Sequence, residues 1–255
     1  MKHSKYAVAC AGLLCAAVGV AQASETGFFI EGGPTFMALR NTTAVPLSSN
    51  ITNDYRTNAQ THWTGLWGFG IERTFQNLLE EKPFELSLGL AGYMISQGQV
   101  KGTEYPLAND GIYDTLNYQF NTKSNALMVE SRWFYTGKTW RPFALIGIGE
   151  SWNHFSHYIE EPTDPALTAA PVPIPFSNAT QGSFAYEFGL GVQHAIFHDE
   201  PHHVHYTASI DYRYVNFGNG HLGPIPTQTT ISRLHINGLY TQGILITLKA
   251  ACDSI

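Results

Sequence analysis

Between Gln181 and His194 the chain reads Q-G-S-F-A-Y-E-F-G-L-G-V-Q-H. Phe184, Tyr186, Phe188, Leu190 and Val192 fall on one parity, and Ser183, Ala185, Glu187, Gly189, Gly191 and Gln193 on the other. A strict period of two is a strand pattern and excludes a helix. The two faces also differ in kind: one is bulky and aromatic, the other holds glycines and a single carboxylate. That asymmetry suits a strand with lipid on one side and a cramped polar lumen on the other. Parity by itself says only that the faces differ, since a soluble barrel of lipocalin type would turn its bulky face inward around a ligand.

The pattern recurs along the chain. Strands are predicted at Gly27–Leu39, His62–Glu72, Phe84–Met94, Leu116–Tyr135, Arg141–Trp152, Gln181–His194, His205–Tyr214 and about Ser232–Leu248. Long polar connections follow the first, third, fifth and seventh strands: Asn41–Gln60, Gly98–Thr115, Phe155–Asn178 and Gly218–Thr230. Short ones follow the second, fourth and sixth, at Asn77–Pro83, Thr136–Trp140 and Phe197–His203. A transmembrane barrel with both termini on one side sorts its connections this way, long loops outside the cell and short turns in the periplasm. The expected fold is all-β: an eight-stranded antiparallel up-and-down transmembrane β-barrel with four long extracellular loops.

The first residues bear on location. Lys2 and Lys5 precede an apolar run over Tyr6–Val20, and Ala21-Gln22-Ala23 is a small-x-small cleavage pattern, so residues 1–23 read as a signal peptide and 24–255 as the barrel domain. Apart from Cys10 and Cys15 in that segment, Cys252 is the chain's one cysteine, which rules out an intramolecular disulfide framework in the exported chain. Only 13% of residues are charged and the formal net charge is −6, an unlikely balance for a nucleic-acid partner. No stretch supplies the ~20 apolar residues of a membrane-spanning helix.

The runs R-P-F-A-L-I-G-I-G-E-S at Arg141–Ser151 and A-Y-E-F-G-L-G-V-Q at Ala185–Gln193, behind a signal segment and within eight strands, resemble the small outer-membrane barrels of Gram-negative bacteria, the OmpA/OmpX-like and opacity-protein-like proteins. The resemblance implies residence in the bacterial outer membrane, contact with its lipid and lipopolysaccharide, and delivery by the barrel-assembly machinery. Members usually end their last strand on an aromatic residue, whereas this chain runs past Leu248 to A-A-C-D-S-I.

Eight strands enclose a lumen that side chains can fill, which disfavours a diffusive pore. Parity directs Glu31, Glu72, Glu85, Glu130, Arg132, Glu187, Asp211 and Arg213 inward. Glu130, Arg132, Glu187, Asp211 and Arg213 are the expected central polar network, paired because buried charges must be. Glu31, Glu72 and Glu85 are placed at the watery rim. Trp63, Trp67, Trp133, Tyr135, Trp140 and Trp152 lie near strand ends, where amphipathic rings favour the headgroup layer. His194, His198, His202, His203 and His205 cluster around one turn, but without a cysteine partner or helical spacing they read as polar turn residues, and no metal or other cofactor is assigned.

His154-Phe155-Ser156, with Glu160 and Glu161 beyond, is similar to the His-x-Ser element of lipid A deacylases. On a strand His154 and Ser156 share a face, which would let the imidazole take the hydroxyl proton. The main expectation is not an enzyme but a structural or surface-interaction protein, with adhesion or host contact carried by the long loops. A lipid-modifying enzyme and a narrow channel or small hydrophobic-ligand barrel are the alternatives.

Overall fold

The computed structural model describes residues 23–39, 42–46, 52–57, 62–75, 84–106, 114–135, 139–164, 176–226 and 233–253. The expected signal segment lies outside these apart from Ala23, which heads the first strand. The strands are β1 (Ala23–Leu39), β2 (Thr42–Pro46), β3 (Thr52–Thr57), β4 (His62–Phe75), β5 (Phe84–Ile95), β6 (Gly98–Tyr105) and β7 (Leu116–Tyr135). They continue with β8 (Trp140–Pro162), β9 (Ala179–Asp199), β10 (Val204–Asn216), β11 (Gly220–His221), β12 (His235–Ile236) and β13 (Leu239–Asp253).

Eight of them close a ring. Each of β1, β4, β5, β7, β8, β9, β10 and β13 pairs antiparallel with the next, and β13 returns to β1 through pairs such as Ile30 with Leu248. Closure leaves no free edge in the wall, so every strand is hydrogen-bonded on both sides. The connections at 76–83, 136–139 and 200–203 fall at one end of the ring, here the turn end, beside Ala23 and Asp253. The connections at 40–61, 96–115, 163–178 and 217–238 fall at the other, the loop end. At the turn between β9 and β10, His203 takes a left-handed conformation (φ 53°) to reverse the chain in few residues.

The loops are more structured than their composition predicts. The stretch expected to be an irregular first loop contains the β2–β3 hairpin, and the second contains β6, which continues β5 after a break at Ser96-Gln97. β8 extends past the expected end at Trp152 to Pro162, and β9 covers Ala179–Asp199. The last strand starts at Leu239 because Gly238, with φ 96°, turns the chain between it and β12. Pro165, Pro171, Pro173 and Pro175 of the proline-rich third loop, and Thr136 to Lys138 of the tight turn, lie outside the described residues.

Together β2, β3, β6, the first half of β7 and the outer extension of β8 make a sheet standing above the barrel wall. Its polarity is inverted relative to the wall. Gln99, Lys101, Asn117 and Lys123 face out, while Val45, Tyr55, Val100, Tyr118, Phe120 and Tyr158 are buried inside. They join Phe155, Phe176, Phe217, Leu222, Ile225, Leu234 and Ile236 in an apolar cluster of the kind found in soluble domains. A segment leaving the bilayer meets water, so its apolar parity must turn inward.

Candidate functional site

The middle of the ring holds the charges. Arg213 is fully buried and reaches Asp211 at 2.8 Å, Glu187 at 3.0 Å and Glu31 at 3.2 Å. Arg132 reaches Glu130 at 2.9 Å, Glu31 at 3.3 Å and Glu72 at 3.7 Å, with its guanidinium 4.4 Å from the Phe29 ring centroid. The structure therefore brings together all five residues named for the centre. It also draws in Glu31 and Glu72, expected at the rim. Glu31 lies between both arginines and accepts a bond from Thr247, and Glu72 pairs with Lys249 at 2.6 Å. Glu85, by contrast, sits at the turn end against Arg141.

Two participants were missed. The Tyr93 hydroxyl donates to Glu31 at 2.5 Å, meets Glu130, and receives a bond from Arg213 at 2.7 Å. Lys249 is the third cation, also 3.9 Å from Glu25. Both share the inward parity of their strands, so the period of two could have found them. Cross-strand glycines make room for the cluster: Gly68 stands opposite Glu31, Gly147 opposite Glu130 and Glu187, Gly189 opposite Arg213, and Gly191 opposite Asp211. A Cβ on Gly191 would come within 2.5 Å of the Asp211 Cβ.

The outward parity of the same strands carries Phe28, Ile30, Phe69, Ile71, Leu90, Ile146, Phe188, Leu190, Ile210 and Ile246, all exposed. Register sets them side by side, from Ile30 with Phe69 and Ile71 with Leu90 round to Ile210 with Ile246 and Leu248 with Ile30. This apolar belt encircles the ring, far beyond the patch a water-soluble monomer exposes. This is an eight-stranded transmembrane β-barrel. The lipocalin alternative fails because the bulky parity faces out and charge fills the interior.

Exposed rings border the belt at both ends of the barrel. Trp133, Tyr135 and Trp140 lie beside the β7–β8 turn, where Tyr135 packs edge-on against Phe84. Trp63, Trp67 and Trp152 lie toward the loop end, with Trp63 against Phe36 and Trp152 paired with Gly182.

At the loop end, side chains of β8 hold the start of the connection that follows β10. Ser151 Oγ donates to the Phe217 carbonyl at 2.5 Å, and Asn153 Nδ2 donates to the carbonyls of Phe217 at 2.7 Å and Asn219 at 3.1 Å. In the upright sheet, Glu104 is fully buried; its Oε1 accepts from Asn53 Nδ2 at 2.5 Å and from Tyr55 Oη at 2.9 Å. Burial, then the neighbouring Glu160, raises the Glu104 carboxyl to about 8. Burial likewise holds Tyr118 up at about 12.

The His-x-Ser element does not assemble as its spacing predicts. His154 faces outward and bonds Thr180 at 2.8 Å, while Ser156 is buried and meets His157 at 3.1 Å. The cause is a bulge opposite Gln119–Asn121, where His157 adopts φ 56° and the parity of β8 slips. Around the β9–β10 turn, His198 and His205 stack at 4.1 Å, His202 bonds Asp199 at 2.9 Å, and His194 packs edge-on against Trp140. Among the described residues no three potential ligands converge on a metal position. A cavity of about 250 Å³ opens at this end, lined by Arg141, Gln193, His198, His205 and Lys249.

No family model matches the chain, and no curated protein sequence does. Among solved structures it is similar to the outer membrane protein OprG from Pseudomonas aeruginosa, at 11% identity over 90% of this chain and 97% of that one, with a TM-score of 0.40. It is also similar to the outer membrane protease OmpT from Escherichia coli (10% identity, 92% and 98%, TM-score 0.37) and to the attachment invasion locus protein Ail of Yersinia pestis (11%, 89% and 99%, 0.32). The assignment of the fold rests on the closed ring and its apolar belt.

Proposed function

We propose that this protein is a closed anchor in the outer membrane that acts at its extracellular end, as a structural or surface-interaction protein engaged in adhesion or host contact. The observation carrying this reading is the upright sheet of β2, β3, β6, β7 and β8. Joining neighbouring wall strands needs only a few residues, yet these connections build a sheet with its own buried core. Its outer face, with Gln99, Lys101, Asn117 and Lys123, is polar and displayed above the bilayer. The charged network filling the middle of the ring supports the same reading, because it leaves the displayed surface as the place for contact. Lipopolysaccharide of the outer leaflet is the neighbour such a surface meets first, and the barrel-assembly machinery is the partner its insertion calls for.

The test replaces residues 42–57, the β2–β3 hairpin, with a short Gly-Ser linker in cells displaying the protein. Adhesion to host cells and immobilised glycans should fall at least tenfold while the heat-modifiable gel band persists. Undiminished adhesion with the band intact would reject the reading.

A further inference from the structure

The carboxylates of Glu104 and Glu160 meet inside the upright sheet, where β6 and β3 lie against β7 and the outer part of β8. Glu104 Oε1 is occupied by Asn53 and Tyr55, whereas its Oε2 is buried with no donor against it. Glu160 Oε1 accepts from the Tyr158 hydroxyl at 2.7 Å. The groups facing Glu104 are Asn53 and Tyr55 from β3, Tyr118 from β7, and Tyr158 and Glu160 from β8. The aromatic members pack closely, with Tyr55 5.6 Å from Tyr118 and 5.8 Å from Phe176, and Tyr158 5.0 Å from Phe176. Thr57 reaches the Tyr118 hydroxyl at 3.1 Å. Arg56 is turned to the outer face, over the Tyr105 ring. Two acids brought together behind such a wall repel each other unless one carries a proton, and a protonated Oε2 becomes the donor that this position lacks.

We propose that Glu104 carries a proton in the closed upright sheet and donates it in a hydrogen bond to Glu160, and that this bond latches the β3–β6 segment onto β8. Opening the segment exposes the Glu104 carboxyl and releases its proton to water, so the latch weakens as pH rises. The elevated affinity of Glu104 for its proton sets the window. The open form gives the proton up near the ordinary 4.5, the closed form near 8. Between these values each pH unit favours opening about tenfold, and above 8 the gain levels off because both forms are ionised. The device belongs to the fold of this sheet and needs no partner, so it stands whether or not the sheet is an adhesive surface.

The experiment is hydrogen exchange on the full barrel in lipid, reading the amides of Thr52–Thr57 and Gly98–Tyr105 from pH 5 to 9.5, after correction for the chemical exchange rate. The opening constant of the native protein should climb about tenfold per unit up to about pH 8 and then flatten. Glu104→Gln, whose amide donates to Glu160 without titrating, should give a flat profile, and Glu160→Gln, which leaves Glu104 buried, should move the plateau to lower pH. A native profile that is already flat, or one that both variants leave unchanged, would overturn the latch. So would suppression of the rise at pH 7 by added Ca²⁺ alone, which would assign the carboxyl pair to a cation in place of a proton.

Discussion

Arg213 gathers three acids in the barrel centre, so its loss is felt through the partners left behind. Arg213→Ala strands Asp211, Glu187 and one side of Glu31 in the buried centre. Breaking a buried pair from one side costs about 3–5 kcal/mol, and the variant should lose its heat-modifiable band at markedly lower temperature. The glycines opposite the network act through volume. Gly191→Val places branched carbon where the Asp211 side chain lies, and overpacking of this kind costs about 1–3 kcal/mol, measurable as a lower urea midpoint for unfolding from lipid. Much of this centre was legible in sequence, because inward parity names its charged residues directly. Depth was not. Their distance to the expected strand ends puts Glu31 and Glu72 at the rim, but β1 begins at Ala23, which makes Glu31 its middle residue, and β4 runs past Glu72 to Phe75. Glycine opposite charge is a cross-strand relation that appears only with the register.

At the scale of elements, the connection between β10 and β13 is held down by the Asn153 side chain and by a neutral histidine. Asn153→Ala removes the donor shared by the Phe217 and Asn219 carbonyls and leaves Ser124 without its acceptor. Buried groups left without partners cost about 1–3 kcal/mol, so protease should cut this connection faster while the barrel band persists. His221 donates from Nδ1 to the Leu222 carbonyl at 3.1 Å, which leaves Nε2 to accept from Arg233 at 3.0 Å. Burial lowers the proton affinity of this imidazole below its ordinary 6.5. Its contribution is thus complete above about pH 6.5 and fades as pH falls through the lowered value. Cleavage of the connection should accelerate between pH 7 and 5, and His221→Gln, which keeps an acceptor and does not titrate, should flatten that rise. The wall strands were readable because bilayer and lumen impose opposite chemistry on successive residues. β2, β3 and β6 were not, because above the bilayer the outward residues become Gln, Lys and Asn, and the alternation looks like loop composition. The bulge at His157 reverses parity without any signal in residue type, which is why His154 and Ser156 were expected on one face.

For the whole molecule, closure decides what can pass. The charged network fills the middle of the ring, and above it Met37, Leu66, Ile95, Val215, Phe217 and Leu239 form an apolar layer. An ion would have to break a paired cluster and then shed water against that layer. Each barrier is large on its own, since buried polar groups are bound to one another and an apolar space offers nothing in exchange. Planar-bilayer recordings on the native protein should therefore stay at background current. Arg213→Ala should stay silent as well, because the apolar layer survives when the network is damaged. Discrete openings of the native barrel would contradict the closed interior. Openings confined to the variant would place the seal in the network alone.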